Sequence, residues 1–276
     1  MAKIPAVKYA IIGGSSTFSL QFPEDLAAEG YEVQVLAQDL VYDTPFGSSP
    51  PFKLFRLGDK ELLHVKMHGW RPGVSRADAS RQVFWVLQQA GVKKIMAEGG
   101  VGSINHLLDL RDVLVPSDYL DFSLRKDVSL GSTHLLVMRQ PVCPQITSLL
   151  YEVARQQYRE GRVFSRGVYA VTDGRHFESV AEVQMLSRLG ADMVGQSMCP
   201  EVYLAREIGA CYGRIDLVVN YAEGVVRQWT HAELAHIFHN SARQIAGLLL
   251  TAMQRLDASQ DCGCPDLRHE TLLKEK

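Results

Sequence analysis

Apolar positions along the chain fall into short β-prone runs that alternate with longer segments of helical period. Runs near 8–12, 33–36, 52–56, 61–66, 93–97, 112–115, 134–137, 167–171, 191–195 and 212–219 read as strands. Segments near 23–29, 76–90, 103–108, 145–159, 178–189, 201–208 and 231–255 carry the spacing of amphipathic helices. This order predicts an α/β fold, a single domain with a central mixed β-sheet flanked by helices, over residues 1–258, and a polar C-terminal tail over 259–276. Thr230-His231-Ala232-Glu233 has the form of a capping box at the start of the last helix. Pro45, Pro50 and Pro51 mark an early loop, and Pro141 and Pro144 precede a helix.

Three strand ends between Gly167 and Asn220 carry polar side chains. The first leads through Thr172-Asp173-Gly174 to Glu178, the second through Gln196 to Ser197, and the third stops at Asn220. Open α/β sheets bind ligands outside the carboxyl ends of their strands. A carboxylate, a hydroxyl and an amide there form a set that can hold a purine ring and a sugar or phosphate by directed hydrogen bonds. Each also has a plain structural reading: Glu178 as a charge favoured by a helix N-terminus, Ser197 and Asn220 as turn formers.

Composition narrows the class. With 276 residues, 46% apolar and 22% charged, the chain can bury a full core. The formal net charge of −2 and the lack of a basic stripe argue against a nucleic-acid partner. No run approaches the roughly 18 apolar residues of a membrane span, and the opening MAKIPAVKYAII has no long apolar core of a signal peptide. The expectation is a cytoplasmic protein with no membrane partner. Five cysteines do not form a secreted disulfide framework in a chain of this length. Cys143, Cys199 and Cys211 read as buried or turn thiols. Cys262-Gly263-Cys264 lies in the tail with no second pair beside it in sequence, so no metal site is expected.

Several segments together resemble the trimeric purine nucleoside phosphorylase and methylthioadenosine phosphorylase family. They are Gly174-Arg175-His176-Phe177-Glu178-Ser179, Gly195-Gln196-Ser197-Met198-Cys199-Pro200-Glu201 and Val218-Val219-Asn220. Tyr9-Ala10-Ile11-Ile12-Gly13-Gly14-Ser15-Ser16, Asp43-Thr44-Pro45-Phe46-Gly47, His68-Gly69 and Gly100-Val101-Gly102-Ser103 extend the likeness from about residue 8 to 250. The resemblance implies phosphorolysis of an N-glycosidic bond, with inorganic phosphate as co-substrate and no cofactor. It maps Ser15, His68, the Gly100 amide and Ser197 onto the phosphate site. Phe177, Glu178 and Asn220 map onto the purine site, with Asn220 and His68 in the catalytic roles, and Gln196 and His231 beside the ribose. It also implies a homotrimer, with the Asp118-Tyr119 neighbourhood, including Phe122, as the first candidate for a loop that crosses the interface. The Cys-x-Cys resembles a feature of some methylthioadenosine phosphorylases that is associated with thiol–disulfide chemistry. An exposed redox pair and a passive tail both fit it.

The departures from the family pattern carry information. Adenosine-preferring relatives place an Asp at the Asn220 position and another two residues on; this chain has Asn220 and Ala222, which points to 6-oxopurine bases. The family's Arg before the phosphate-site His is Met67 here, and a bidentate cation is lost with it. Lys66, Arg71 and Arg175 are the candidate substitutes. Gln196 stands where the family has a ribose-contacting Met. These changes keep two alternatives open: a purine nucleoside hydrolase or altered-acceptor enzyme, and a noncatalytic nucleoside binder. A cation in the anion pocket favours the transferase, and an apolar pocket around Met67 and Trp70 favours the alternatives.

Overall fold

The computed structural model describes residues 3–272. The first half contains β1 (Tyr9–Ile12), β2 (Val33–Leu40), β3 (Asp43–Thr44), β4 (Gly47–Ser48), β5 (Phe52–Leu57), β6 (Lys60–Val65), α1 (Arg76–Ala90), β7 (Lys94–Ser103), β8 (Val113–Leu114), β9 (Asp118–Asp121) and β10 (His134–Leu136). The second contains α2 (Pro144–Gln157), β11 (Val163–Phe164), β12 (Val168–Val171), α3 (Val180–Arg188), β13 (Met193–Gly195), α4 (Met198–Glu207), β14 (Cys211–Tyr221), α5 (His231–Arg255) and β15 (Arg268–Glu270). Eleven strands form one mixed sheet whose main path runs β11-β8-β14-β7-β1-β6-β5-β2, and β9, β12 and β13 branch from β7. The α/β fold with a single central mixed sheet is as the periodicity predicts.

The centre is the parallel pair β7 and β14. Both are buried along almost their whole length, so both faces of the sheet are covered and neither strand shows polar alternation. β1 adds parallel to the first part of β7, from Tyr9 opposite Lys94 to Ile12 opposite Ala97. β13 adds antiparallel to its last residues. Side chains of α1 and α4 contribute to the core on one side, those of α2 and α5 on the other.

Several predicted boundaries move. The helix expected at 103–108 is instead the end of β7 and a turn: Gly102 and Ser103 still pair with β13, and the Asn105 side chain accepts from the Leu107 amide. The glycine run after Glu98 does not end the strand, because Gly99 to Gly102 stay paired with β14. The segment at 23–29 is a 3-10 helix, Glu24–Glu29. Glu178 lies before α3 rather than in its first turn; Ser179 caps that helix in a capping box with Glu182. At α5 the Thr230 hydroxyl accepts from the Glu233 amide, as predicted, while the Glu233 carboxylate pairs with Arg227. The short strands β3, β4, β9, β11 and β15 are additions to the predicted set.

The segment after 258 folds onto the domain rather than trailing from it. β15 pairs antiparallel with β10, and Cys264 and Leu267 are buried. No helix among the described residues is long and apolar enough to cross a membrane.

His64, on β6, is buried against Phe22 with ring centroids 4.8 Å apart. Burial depresses its pKa to about 3, and Lys53 and Lys66 add to the shift. The folded state therefore holds His64 neutral, whereas the unfolded chain protonates it near pH 6.5. Stability is present above about pH 6.5 and falls as the pH drops toward about 3, because the unfolded state then binds the extra proton. Urea denaturation at several pH values should show His64 contributing a slope of about 1.4 kcal/mol per pH unit within that window. His64→Leu should flatten this slope whatever its effect on absolute stability; an unchanged slope would remove His64 as its source.

Candidate active site

The carboxyl ends of β1, β7, β13 and β14 open onto a cavity of about 310 Å³. That volume lies at the small end of the range for ligand pockets. Ser15, His68, Gly100, Phe177, Glu178, Gln196, Ser197 and Asn220 all line it, together with Met67 and Trp70. Eight predicted residues, from the turn after β1, the turn after β6, β7 itself, and the ends of β12, β13 and β14, thus meet at one surface.

Asn220 owes its position to a β-bulge. Val218 pairs with Val101 and Asn220 with Gly102, so Val219 is the extra residue and Asn220 moves one place back along β7. Its Nδ2 donates to the Tyr221 carbonyl at 2.9 Å, which fixes the plane of an otherwise buried amide. Glu178 is also buried, and its Oε1 accepts from the Thr172 hydroxyl at 2.6 Å. Phe177 sits half out of the protein and packs on Trp229, with ring centroids 4.7 Å apart. A donor, an acceptor and an apolar face are thereby gathered in one site, the requirements of a heterocyclic base.

The opposite part of the cavity surrounds His68. Met67, His68 and Gly69 have φ of 50°, 54° and 74°. Such left-handed conformations cost a non-glycine residue roughly 1–2 kcal/mol each and persist only where the surroundings impose them. The His68 amide donates to the Gly13 carbonyl, and its Nδ1 donates to Glu201 Oε1 at 2.8 Å. Tyr212 Oη donates to the other Glu201 oxygen at 2.8 Å. The ring is therefore held from one nitrogen, with Nε2 against Gly14, where a Cβ would come within 2.6 Å of it. Glycine is required at that position by contact.

Ser197 is supported from below by the fully buried Arg214, whose Nη2 donates to the Ser197 hydroxyl at 3.1 Å. Arg214 grips Asp216 through Nε at 2.8 Å and Nη2 at 2.5 Å. Burial opposes the charge, but Asp216, Tyr212 and Tyr169 hold the guanidinium well above its ordinary pKa. Arg214 thus remains a cation beneath the hydroxyl.

The cation substitutes foreseen for Met67 are not in the cavity. Lys66 turns its ammonium over the Phe18 ring, 4.7 Å from the centroid, and toward the Leu20 carbonyl. Arg71 donates to the Gly69 and Ser48 carbonyls and to Gln82. Arg175 is exposed, at φ 73°, and does not line the cavity. Arg76, the first residue of α1, lines it instead: its guanidinium lies 4.0 Å from the Trp70 ring centroid and donates to Gln196 Oε1 at 2.8 Å. Burial lowers its pKa, Arg125 adds to that, and Asp173 opposes it. Gln196 is therefore the acceptor that orients a pocket cation. His231 does not reach this cavity; it lines an adjoining recess with Phe18, Ser19 and His239, shared through Ser15, Met67, Leu234 and Phe238.

The glycine-rich turn after β1 wraps around a carboxylate: Glu98 of β7, fully buried, accepts most of its amides. Gly14 N donates to Glu98 Oε1, Ser16 N to Oε2 at 3.1 Å, Thr17 N to Oε1 at 3.3 Å, and Thr17 Oγ1 to Oε1 at 2.7 Å. Of this turn, Ser15 is left lining the cavity, and its Oγ accepts from the Gly100 amide at 2.9 Å. The Phe238 ring covers Gly100 so closely that a Cβ there would lie within 2.7 Å of it.

Comparisons with known proteins agree on one family. The model of the phosphorylase superfamily matches residues 9–254. The probable 6-oxopurine nucleoside phosphorylase of Korarchaeum cryptofilum is 30% identical over 96% of this chain and 99% of its own length. The probable S-methyl-5'-thioinosine phosphorylase of Methanothermobacter thermautotrophicus is 31% identical over 80% of this chain and 78% of its own. In fold, the chain is similar to the methylthioadenosine phosphorylase of Schistosoma mansoni in complex with adenine, with a TM-score of 0.78, 21% identity and coverage of 91% and 93%.

The Glu98 clamp sets an expectation for stability. Glu98→Ala leaves three amides and a hydroxyl without a fixed partner in a buried site. It should cost about 3 kcal/mol or more in urea denaturation at an unchanged m-value. A loss under about 1 kcal/mol would show that water replaces the carboxylate without penalty.

Proposed function

Since the chain belongs to the phosphorylase superfamily, we propose that it is a purine nucleoside phosphorylase that cleaves the N-glycosidic bond of 6-oxopurine nucleosides, inosine, guanosine or 5'-methylthioinosine, with phosphate. One observation carries this reading: Asn220 and Glu178 share a single cavity with Ser15, His68 and Ser197. Base-reading and anion-binding groups are thus within reach of one bound nucleoside. As the C–N bond breaks, its electron pair goes to the purine, and phosphate oxygen bonds to the anomeric carbon from the other side. The Asn220 amide can donate to N7 as negative charge develops there and also meet a 6-oxo group, which an ionised Asp would repel. His68 and Ser197, backed by Glu201 and Arg214, face the attacking anion. The 5' end of the nucleoside points toward the recess that holds His231. The relatives' names support the 6-oxopurine preference.

A second reading, hydrolysis, rests on a specific observation. Glu98 takes the loop amides, and Met67 and Phe238 make the anion face more apolar. These features weaken phosphate binding more than they hinder water. For the assembly we propose a homotrimer in the cytoplasm; Phe122 and Leu124, just after β9, are among the exposed apolar residues that a subunit contact can use.

Release of hypoxanthine from inosine and 5'-methylthioinosine, with and without phosphate, tests the main reading. Strict phosphate dependence, with ribose 1-phosphate from inosine and 5-methylthioribose 1-phosphate from 5'-methylthioinosine, supports phosphorolysis; equal rates without phosphate support hydrolysis. His68→Ala should raise the apparent KM for phosphate more than that for the nucleoside. Asn220→Asp should lower kcat/KM on inosine by about 100-fold or more and shift preference toward 6-aminopurine nucleosides. An unchanged preference ratio would remove Asn220 from base selection.

A further inference from the structure

Four of the five cysteines, widely separated in sequence, converge at the end of the sheet opposite the cavity. Cys143 is the N-cap of α2, Cys211 opens β14, and Cys262 and Cys264 lie on the segment that folds back after α5. Their sulfurs all lie within 4.8 Å of one another, and Cys211 Sγ and Cys262 Sγ are 3.2 Å apart. The expectation that Cys262-Gly263-Cys264 has no second pair is thereby corrected: the second pair comes from α2 and β14.

We propose that these four cysteines form a closed tetrathiolate site for a structural zinc ion. With Zn–S near 2.3 Å, tetrahedral geometry sets sulfurs about 3.8 Å apart, and the cluster needs only small side-chain adjustments to reach that spacing. Four sulfur ligands in a tetrahedron select zinc among the common divalent ions. Cys143, Cys211 and Cys264 are buried, and Cys262 is half-buried, so the sphere is filled by protein and leaves no open position for catalysis. Gly263, at φ 68°, makes the reversal that lets two ligands one residue apart face the same point.

The surroundings also suit an anionic metal cluster. On binding, each thiol gives its proton to water and Zn²⁺ takes four thiolates, for a net charge of −2 on the complex. Lys94, only 2% exposed, places its ammonium 3.6 Å from Cys211 Sγ and 3.8 Å from Cys262 Sγ. Its other contacts are neutral, to Gln145 Oε1 and the Gln260 carbonyl. Among the described residues it forms no ion pair with a carboxylate, Asp257 acting on it only at longer range, so thiolates at Cys211 and Cys262 would be its nearest anions. Lys94 lies opposite Cys211 in the β7–β14 register. Cation and ligand are therefore set by one pair of strands.

The role is that of a staple. β14 runs nine residues from Cys211 to Asn220, about 30 Å, so the cluster is remote from the cavity. It ties the segment after 258 across the starts of β7 and β14. That segment also pairs β15 with β10, and its Cys264 carbonyl accepts from Arg206.

The test uses the full chain, reduced, reconstituted with zinc and desalted. Elemental analysis should find about one zinc per chain, and cobalt(II) in its place should show intense thiolate-to-cobalt charge transfer with tetrahedral d–d bands. The double variant C262S/C264S should retain less than about 0.1 equivalent and lose the cobalt spectrum. Chelation of the wild-type metal should lower the thermal midpoint, and zinc should restore it. Metal below about 0.1 equivalent in the reconstituted wild-type protein would overturn the proposal, with no dependence on how the variant folds. So would peptide mapping that finds a Cys211–Cys262 or Cys262–Cys264 disulfide in protein that takes up no metal after reduction.

Discussion

The parallel pairing of β7 with β14 is the constraint on which the rest of the molecule depends. Ten register positions hold the two strands together, with one interruption between Val218 and Asn220. Along this seam Glu98, Gly99 and Gly100 on one strand face Ile215, Asp216 and Leu217 on the other. The loop clamp, the buried ion pair and the Asn220 amide in the cavity are thus fixed relative to each other by backbone hydrogen bonds. Slipping the pair by one residue would turn Arg214 and Asp216 to the opposite face of the sheet and leave two buried charges among apolar side chains. The buried pair therefore acts as a register mark as well as a support for Ser197.

Charge around the cavity follows a second rule: nearly every charged or strongly polar side chain is held by another group before a ligand arrives. Glu201 holds His68, Asp216 holds Arg214, Gln196 holds Arg76, and the loop amides hold Glu98. Such pairing limits the reorganisation needed when charge develops on a substrate, which is how a water-poor site stabilises a transition state. It also limits the net attraction for a free anion. The cavity is better suited to positioning phosphate against a bound nucleoside than to capturing it alone.

Much of this was legible in the sequence, and the reasons for the exceptions are physical. Strand ends are marked by loss of apolar period and by turn residues, so Glu178, Ser197 and Asn220 could be placed together from sequence alone. The cations could not. Arg76 reaches the cavity because Trp70 supplies a ring to lie on and Gln196 an acceptor, and neither contact has a local signature. Arg214 looks like a charge in the middle of an apolar strand until its partner two residues on is seen to point the same way. Lys66 was expected in the cavity from its position beside Met67, but its direction is set by the Phe18 ring across the turn. Glu98 carries no mark in the sequence, since nothing local says that a carboxylate will fold a loop eighty residues earlier around itself. The cysteine cluster was hidden for the same reason, because its ligands come from three elements that only the sheet brings together.

The last helix is attached asymmetrically. At its carboxyl end, Lys60 donates to the carbonyls of Met253, Gln254 and Leu256, at 3.0, 2.5 and 2.7 Å. A cation there also opposes the helix dipole. From Ser241 to Met253 most residues are buried, whereas His231 to His236 are exposed or half-buried. In mechanical terms α5 is a beam clamped at one end and free at the other. Phe238 lies at the boundary, between buried Ile237 and the buried stretch that begins at Ser241. The ring over Gly100 is therefore held by the fixed part of the beam, and the compliance of α5 lies in the turns before it, beside the recess that His231 lines.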